Sequence, residues 1–205
     1  LGGAVLVLRG LIATRPTGPG LAGEGALRFG LNASVVAGAV AVLSFGASLL
    51  LVPRSLDAQT YFEILFWGGG HALQFVWTLL MLVAWLWLAG ATGARVPLSP
   101  RLTVLMFVLA LASVFATPFA YFAADVTSVE FRQINTWAMR LGGGIAIVPI
   151  SLAVAVGLLR ASAPQSATAL PLRAALVASI VLFGAGGLIG ALINGSNVRI
   201  PAHYH

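Results

Sequence analysis

Five long apolar runs dominate the chain, at 31–52, 60–89, 102–124, 131–159 and 172–193, each at or beyond the roughly 20 residues a helix needs to cross a bilayer. Their apolar positions are continuous rather than alternating, which predicts helices and not the strands of a barrel. A shorter run at 1–14 reads as the end of a further membrane helix, followed by a Pro/Gly-rich loop to residue 30. Pro118 and Pro149 fall inside two of the runs and predict kinks there. Residues 194–202, NGSNVRIPA, read as a loop, and Ala202 onward as the start of another helix. The expected fold is an all-α polytopic transmembrane helical bundle with about six membrane helices, forming a single membrane domain over residues 1–205. The chain opens inside an apolar run without an initiator Met and stops at His205, so it is expected to be an internal piece of a longer protein.

One run carries a polar pattern. In 61–78, YFEILFWGGGHALQFVWT, the residues Glu63, Trp67, His71, Gln74 and Thr78 fall within about one quadrant of a helix at about 100° per residue. Ionisable groups inside a bilayer cost several kcal/mol unless they face protein, a cavity or a metal. The stripe is therefore expected to point into the bundle. Gly68, Gly69 and Gly70 remove side chains one turn before His71, which lets a neighbouring helix or a flat cofactor approach the backbone. A packing groove with His71 hydrogen-bonded to the next helix fits the same pattern.

Composition agrees with the membrane reading and narrows the chemistry. Hydrophobic residues make up 60% of the chain and charged residues 8%, against about a quarter charged in soluble domains. The net charge of +6 comes entirely from arginine, and in such a chain it bears on topology; no nucleic-acid module is present. There is no cysteine, which excludes disulfides, thiolate ligands and covalent haem attachment within this chain. Arg9, Arg15, Arg28, Arg95, Arg101, Arg160 and Arg173 lie at one set of alternating helix ends. The other set holds Arg54, Arg132 and Arg199 with Asp57, Asp125 and Glu130. The arginine-rich side is expected to be cytoplasmic. His71 then lies about 12 residues in from the outer end of its helix, and His203 and His205 lie at the outer end of the last one, so all three could share one site. Spaced by two, His203 and His205 are about 200° apart on a helix and would face two different centres; in a loop, both would simply be solvated.

These residues resemble subunit I of the haem-copper oxidase superfamily. Residues 65–75, LFWGGGHALQF, look like the segment in which that family carries a copper-ligating histidine after Phe-Trp-x-x-Gly. Residues 132–151, with IAIVPIS, are similar to the helix after the copper-site helices. Residues 186–205, GGLIGALINGSNVRIPAHYH, resemble the family's glycine-rich run leading to an Ala-His-aromatic-His motif. The resemblance covers most of the chain in order, as helix IV to the start of helix X. It implies two noncovalent haems, His203 as the axial ligand of a high-spin haem and His205 as one axial ligand of a low-spin haem. It also implies His71 as a ligand of a distal metal, copper or non-haem iron. The adjacent His-His pair that completes the family's distal site falls on Ala120 and Tyr121, and the residue four after His71 is Phe75. A distal metal held by His71 alone would be weak.

The resemblance implies an integral membrane redox subunit in a bacterial inner membrane, with its haem sites toward the outer side. Electrons would pass from an outer donor such as a c-type cytochrome through low-spin to high-spin haem, with oxygen or nitric oxide as possible substrate and other membrane subunits as partners. The depleted distal site predicts electron transfer or ligand binding without efficient four-electron oxygen reduction. Glu63, Gln74, Tyr121 and Arg140 are the further pocket candidates. Arg140 would offset a haem propionate or Glu63, or snorkel to the interface. Tyr121 would reach the distal pocket or anchor at the interface. Trp77, Trp85 and Trp87 read as lipid-facing or belt residues, and Asp125 and Glu130 as a solvated loop. Two other classes fit: a noncatalytic structural subunit of a respiratory complex that keeps the fold, and a transporter whose helices are interrupted near the two triple glycines.

Overall fold

The computed structural model describes residues 23–162 and 167–191. Among them every regular element is an α-helix: α1 (Gly23–Leu51), α2 (Ala58–Ala91), α3 (Pro100–Val114), α4 (Ala116–Ala123), α5 (Val129–Arg160) and α6 (Ala169–Ala191). Counting α3 and α4 as one span, Pro100–Ala123, five segments are long and apolar enough to cross a membrane. The protein is thus an integral membrane helical bundle. The sixth expected span, at 1–14, lies outside the described residues.

The helix ends follow from local chemistry. Asp57, Ser99 and Ser128 occupy the N-caps of α2, α3 and α5, each accepting a hydrogen bond from a first-turn N–H. The expected kink at Pro118 is a full break at Phe115, where α3 ends and α4 begins. Proline has no N–H to reach back to residue 114, and it is tolerated in the first turn of the new helix. Pro149, by contrast, lies inside a helix that is continuous through it. α1 is already helical at Gly23, the first described residue, eight residues before the expected 31. At the far end of α5, the Arg173 guanidinium donates to the carbonyls of Leu158 (3.0 Å) and Ser162 (2.7 Å), which satisfies acceptors a helix terminus leaves open and complements its dipole.

The helices alternate in direction. Arg28, Arg95, Arg101, Arg160 and Arg173 consequently gather at one end, while Arg54, Arg132, Asp57, Asp125 and Glu130 lie at the other. The most extensive pairing is α1 with α2, followed by α2 with α5, α3 with α5, and α1 with α3. Their shared core holds Phe75, Leu79, Leu82, Phe107, Val114, Ile150 and Val154. α6 is peripheral, contacting chiefly α2. There the Trp85 Nε1–H donates to Ser179 Oγ at 2.9 Å and the indole meets Phe183 edge-on at 5.6 Å. Trp85 is therefore no belt residue: it is 1% exposed, whereas Trp77 and Trp87 are more than half exposed.

Candidate functional site

α2 has two faces of different chemistry. Its packed face runs through Ile64, Leu65, Gly68, Gly69, Ala72, Phe75 and Leu79, all buried. The polar stripe does not point into the described bundle. Gln59, Phe62, Glu63, Phe66, Trp67, Gly70, His71 and Gln74 line an open groove of about 480 Å³ on the other side of the helix. The physical reason is competition for close contact. The glycine face lets bulky neighbours approach: a β-carbon at Gly68 would strike the Tyr121 phenol, and one at Gly69 would lie 2.7 Å from the Phe45 ring. A β-carbon at Gly70 would meet nothing within 4 Å. Two of the three glycines thus seat side chains, and the third belongs to the groove.

His71 sits within the groove in a defined tautomer. Its Nδ1 lies 2.7 Å from the Trp67 carbonyl. A carbonyl only accepts, so Nδ1 carries the proton, and in the neutral ring Nε2 carries the lone pair. The indole of Trp67 lies against the imidazole, with ring centroids 4.9 Å apart. The bond to the carbonyl one turn back, with the indole against the ring, fixes the orientation of the imidazole on the helix. Glu63 and Gln74 share the groove with it.

Tyr121 and Arg140 do not. Tyr121 lies on the packed side, where its hydroxyl donates to the Ser44 carbonyl (2.9 Å) and accepts from Ser48 Oγ (2.7 Å), with Phe131 against its ring at 4.8 Å. It fastens α4 to α1 and is not among the residues lining the His71 groove. Arg140 is exposed on α5, its guanidinium 5.8 Å from the Trp137 ring centre, and among the described residues it forms no ion pair with Glu63. Asp125 stays in its loop and accepts from the Thr127 N–H at 2.7 Å. The Thr127 hydroxyl, which also donates to it, and then this N–H hold its carboxyl below the usual carboxylate range. His203 and His205 lie outside the described residues.

A multi-histidine copper or iron site does not fit what is described. No group of three or more His, Cys, Asp or Glu is assembled among these residues, and Ala120, at one of the two missing ligand positions, is fully buried. The groove itself brings the His71 imidazole together with the aromatic walls Phe62, Phe66 and Trp67.

Sequence reasoning missed a buried polar set. Asn135 is fully buried on α5; its Nδ2 donates to the Phe131 carbonyl at 2.9 Å while its Oδ1 has no partner among the described residues, as is true of Trp67 Nε1. The signal for Trp85 was available, because it follows Gln74 by eleven residues and so lies within about 20° of it round the helix.

Among known proteins, the chain is similar to an uncharacterized protein of Rickettsia prowazekii, 30% identical over 177 residues, covering 73% of this chain and 34% of the relative. It is also similar to an uncharacterized protein of Aquifex aeolicus, 31% identical over 179 residues, covering 85% and 42%. The chain therefore spans less than half the length of either relative. No family model matches, and no solved structure matches.

Proposed function

We propose that the protein is a haem-binding membrane redox subunit related to subunit I of the haem-copper oxidases, with its arginine-rich end in the cytoplasm of a bacterial inner membrane. The observation that carries this reading is His71: an imidazole on an open groove, its Nδ1–H committed to the Trp67 carbonyl. The Ala-His-Tyr-His end of the sequence supports it, with His203 and His205 as the axial ligands of two haems. Haem, where bound, would supply one-electron exchange and a place for oxygen or nitric oxide. This chain's part is to hold the groove. Trp67 fixes the imidazole, Phe62 and Phe66 wall off lipid, and Glu63 and Gln74 set its polarity. Other membrane subunits and an outer donor such as a c-type cytochrome would deliver electrons. With Ala120 and a fully engaged Tyr121 where two further imidazoles would be needed, the reading is electron transfer or ligand binding without efficient oxygen reduction.

Those two positions also favour a second reading, a noncatalytic subunit that keeps the fold and helps assemble a respiratory complex. Haem content separates the two. The test is a reduced-minus-oxidised spectrum with pyridine haemochrome and carbon monoxide on the full-length protein in detergent. Two haems, one of them responding to carbon monoxide, are expected. Absence of haem overturns the redox reading, and oxygen consumption at oxidase-like rates overturns the depleted-site reading.

A further inference from the structure

The sequence holds five carboxylates, and four of them, Asp57, Glu63, Asp125 and Glu130, stand toward the arginine-poor end of the bundle. That leaves Glu24 on α1 at the other end, where Arg28, Arg95, Arg101, Arg160 and Arg173 gather. Among the described residues none of these arginines forms an ion pair.

Three of the cations converge on the end of α5. A β-carbon at Gly157 would lie 3.0 Å from the Arg95 carbonyl oxygen and 3.2 Å from the Val96 Cα, so the loop between α2 and α3 rests its main chain directly on this helix. Arg160 is the last residue of α5, one turn and a rise of about 4.5 Å beyond Gly157. Arg173 reaches the same place from α6, its guanidinium on the carbonyls of Leu158 and Ser162. Arg95 and Arg160 are exposed and Arg173 is half-buried. The nearby C-termini of α2 and α5 supply about half a negative charge each, which against three guanidiniums leaves a surplus of about two positive charges. Arginine does not relieve that repulsion by losing a proton.

We propose that Arg95 and Arg160, backed by Arg173, bind the headgroup phosphate of an anionic phospholipid in the leaflet at this end. The depth of the cluster fits a lipid. Leu159, next to Arg160, is 86% exposed, and Leu170, one turn before Arg173, is 56% exposed, so side chains suited to acyl chains border the guanidiniums on the membrane side. Lipid phosphates lie at that boundary, and basic clusters between helices there hold anionic headgroups. Each guanidinium fork matches two phosphate oxygens at once. Gly157 is a positioning residue, because a side chain on it would push the Arg95 loop off α5. Haem plays no part in this site.

The test is native mass spectrometry of the full-length protein released from nanodiscs of equal parts phosphatidylglycerol and phosphatidylcholine. The wild type is expected to retain a phosphatidylglycerol in preference to phosphatidylcholine. Arg95→Gln and Arg160→Gln are each expected to weaken that retention about fivefold, and together by more than about tenfold. Arg28→Gln removes the same charge at the same end, on α1, which packs chiefly on α2 and α3, and is expected to leave retention unchanged. A second measurement needs no variant: phosphatidylglycerol with a diazirine in its headgroup is expected to label the wild type beside Arg95 and Arg160. Absence of retained lipid in the wild type overturns the proposal, as when a carboxylate from elsewhere in the protein fills the site. Equal retention of phosphatidylcholine, displacement of the lipid by an equal concentration of inorganic phosphate, an equal loss in Arg28→Gln, or labelling confined to other segments also overturns it. Haem content of the same samples reports separately on the proposed function.

Discussion

The Tyr121 phenol occupies the space that a β-carbon on Gly68 would need. Tyr121 cannot easily withdraw, because its hydroxyl is held by Ser44 and Ser48 on α1. Gly68→Ala is therefore expected to destabilise the bundle by about 1–3 kcal/mol through overpacking. Tyr121→Phe alone loses the two hydrogen bonds, about 1 kcal/mol in a membrane interior, and it removes the atom that the new β-carbon meets first. The double variant is expected to cost less than the sum of the singles. A detergent or denaturant unfolding cycle checks this, and strict additivity would show that the two residues do not share the space.

Trp85 is one attachment of α6, beside the buried Leu176 and the Arg173 hydrogen bonds to the end of α5. Trp85→Phe deletes the donor to Ser179 but keeps a ring against Phe183, and a loss of about 1 kcal/mol is expected. Trp85→Ala empties a fully packed site and is expected to cost about 3–5 kcal/mol. Because α6 is peripheral and pairs chiefly with α2, the loss should appear locally, as faster hydrogen exchange or cleavage in the residues following α5, with α1–α5 unchanged. Uniform destabilisation of all the helices would contradict the peripheral placement.

The pH response at the arginine-poor end follows from Asp57. Hydrogen bonds from Thr60, side chain first and backbone next, hold its carboxyl below its ordinary value. A carboxylate with a lowered folded pKa contributes stability that is present above the unfolded value and lost as pH falls through the folded one. The first turn of α2 is thus expected to loosen only below about pH 4. Asp57→Asn keeps an acceptor for the Thr60 N–H and should abolish that acid response, read as amide protection of the first turn against pH. A transition between pH 5 and 8 would point to another group.

How much of this was legible beforehand depends on what each feature needs. The five spans were readable because an apolar run longer than the hydrocarbon can satisfy its backbone only as a helix. Their ends shifted by about two residues where capping chemistry, not hydrophobicity, decides, as after Asp57, Ser99 and Ser128. The register of Glu63, His71 and Gln74 on one face of α2 followed from periodicity alone. What that face meets did not, because Gly68 and Gly69 offered the opposite side to Tyr121 and Phe45, and close contact there outweighed the polarity of the stripe. Tyr121 was placed beside the histidine by its position in a resemblance; its actual partners, Ser44 and Ser48, lie more than 70 residues away in sequence and carry no motif. Trp85 shows the converse, a residue whose helical register pointed to the stripe but whose type suggested the lipid belt.

His71 separates a structural role from a ligand role. Its hydrogen bond goes to a main-chain carbonyl of its own helix, which keeps its ordinary helical partner when the imidazole is removed. Loss of that hydrogen bond in His71→Leu is thus expected to contribute about 1 kcal/mol or less. If His203 and His205 hold the haems as proposed, haem content should also be unchanged. The surroundings of a small ligand at haem would change, because Leu offers neither the lone pair of Nε2 nor a proton. A shifted carbon monoxide stretch with intact haem content is the expected result in the variant. An unshifted stretch would move His71 away from the ligand site, and loss of haem would make it an axial ligand instead of a distal group.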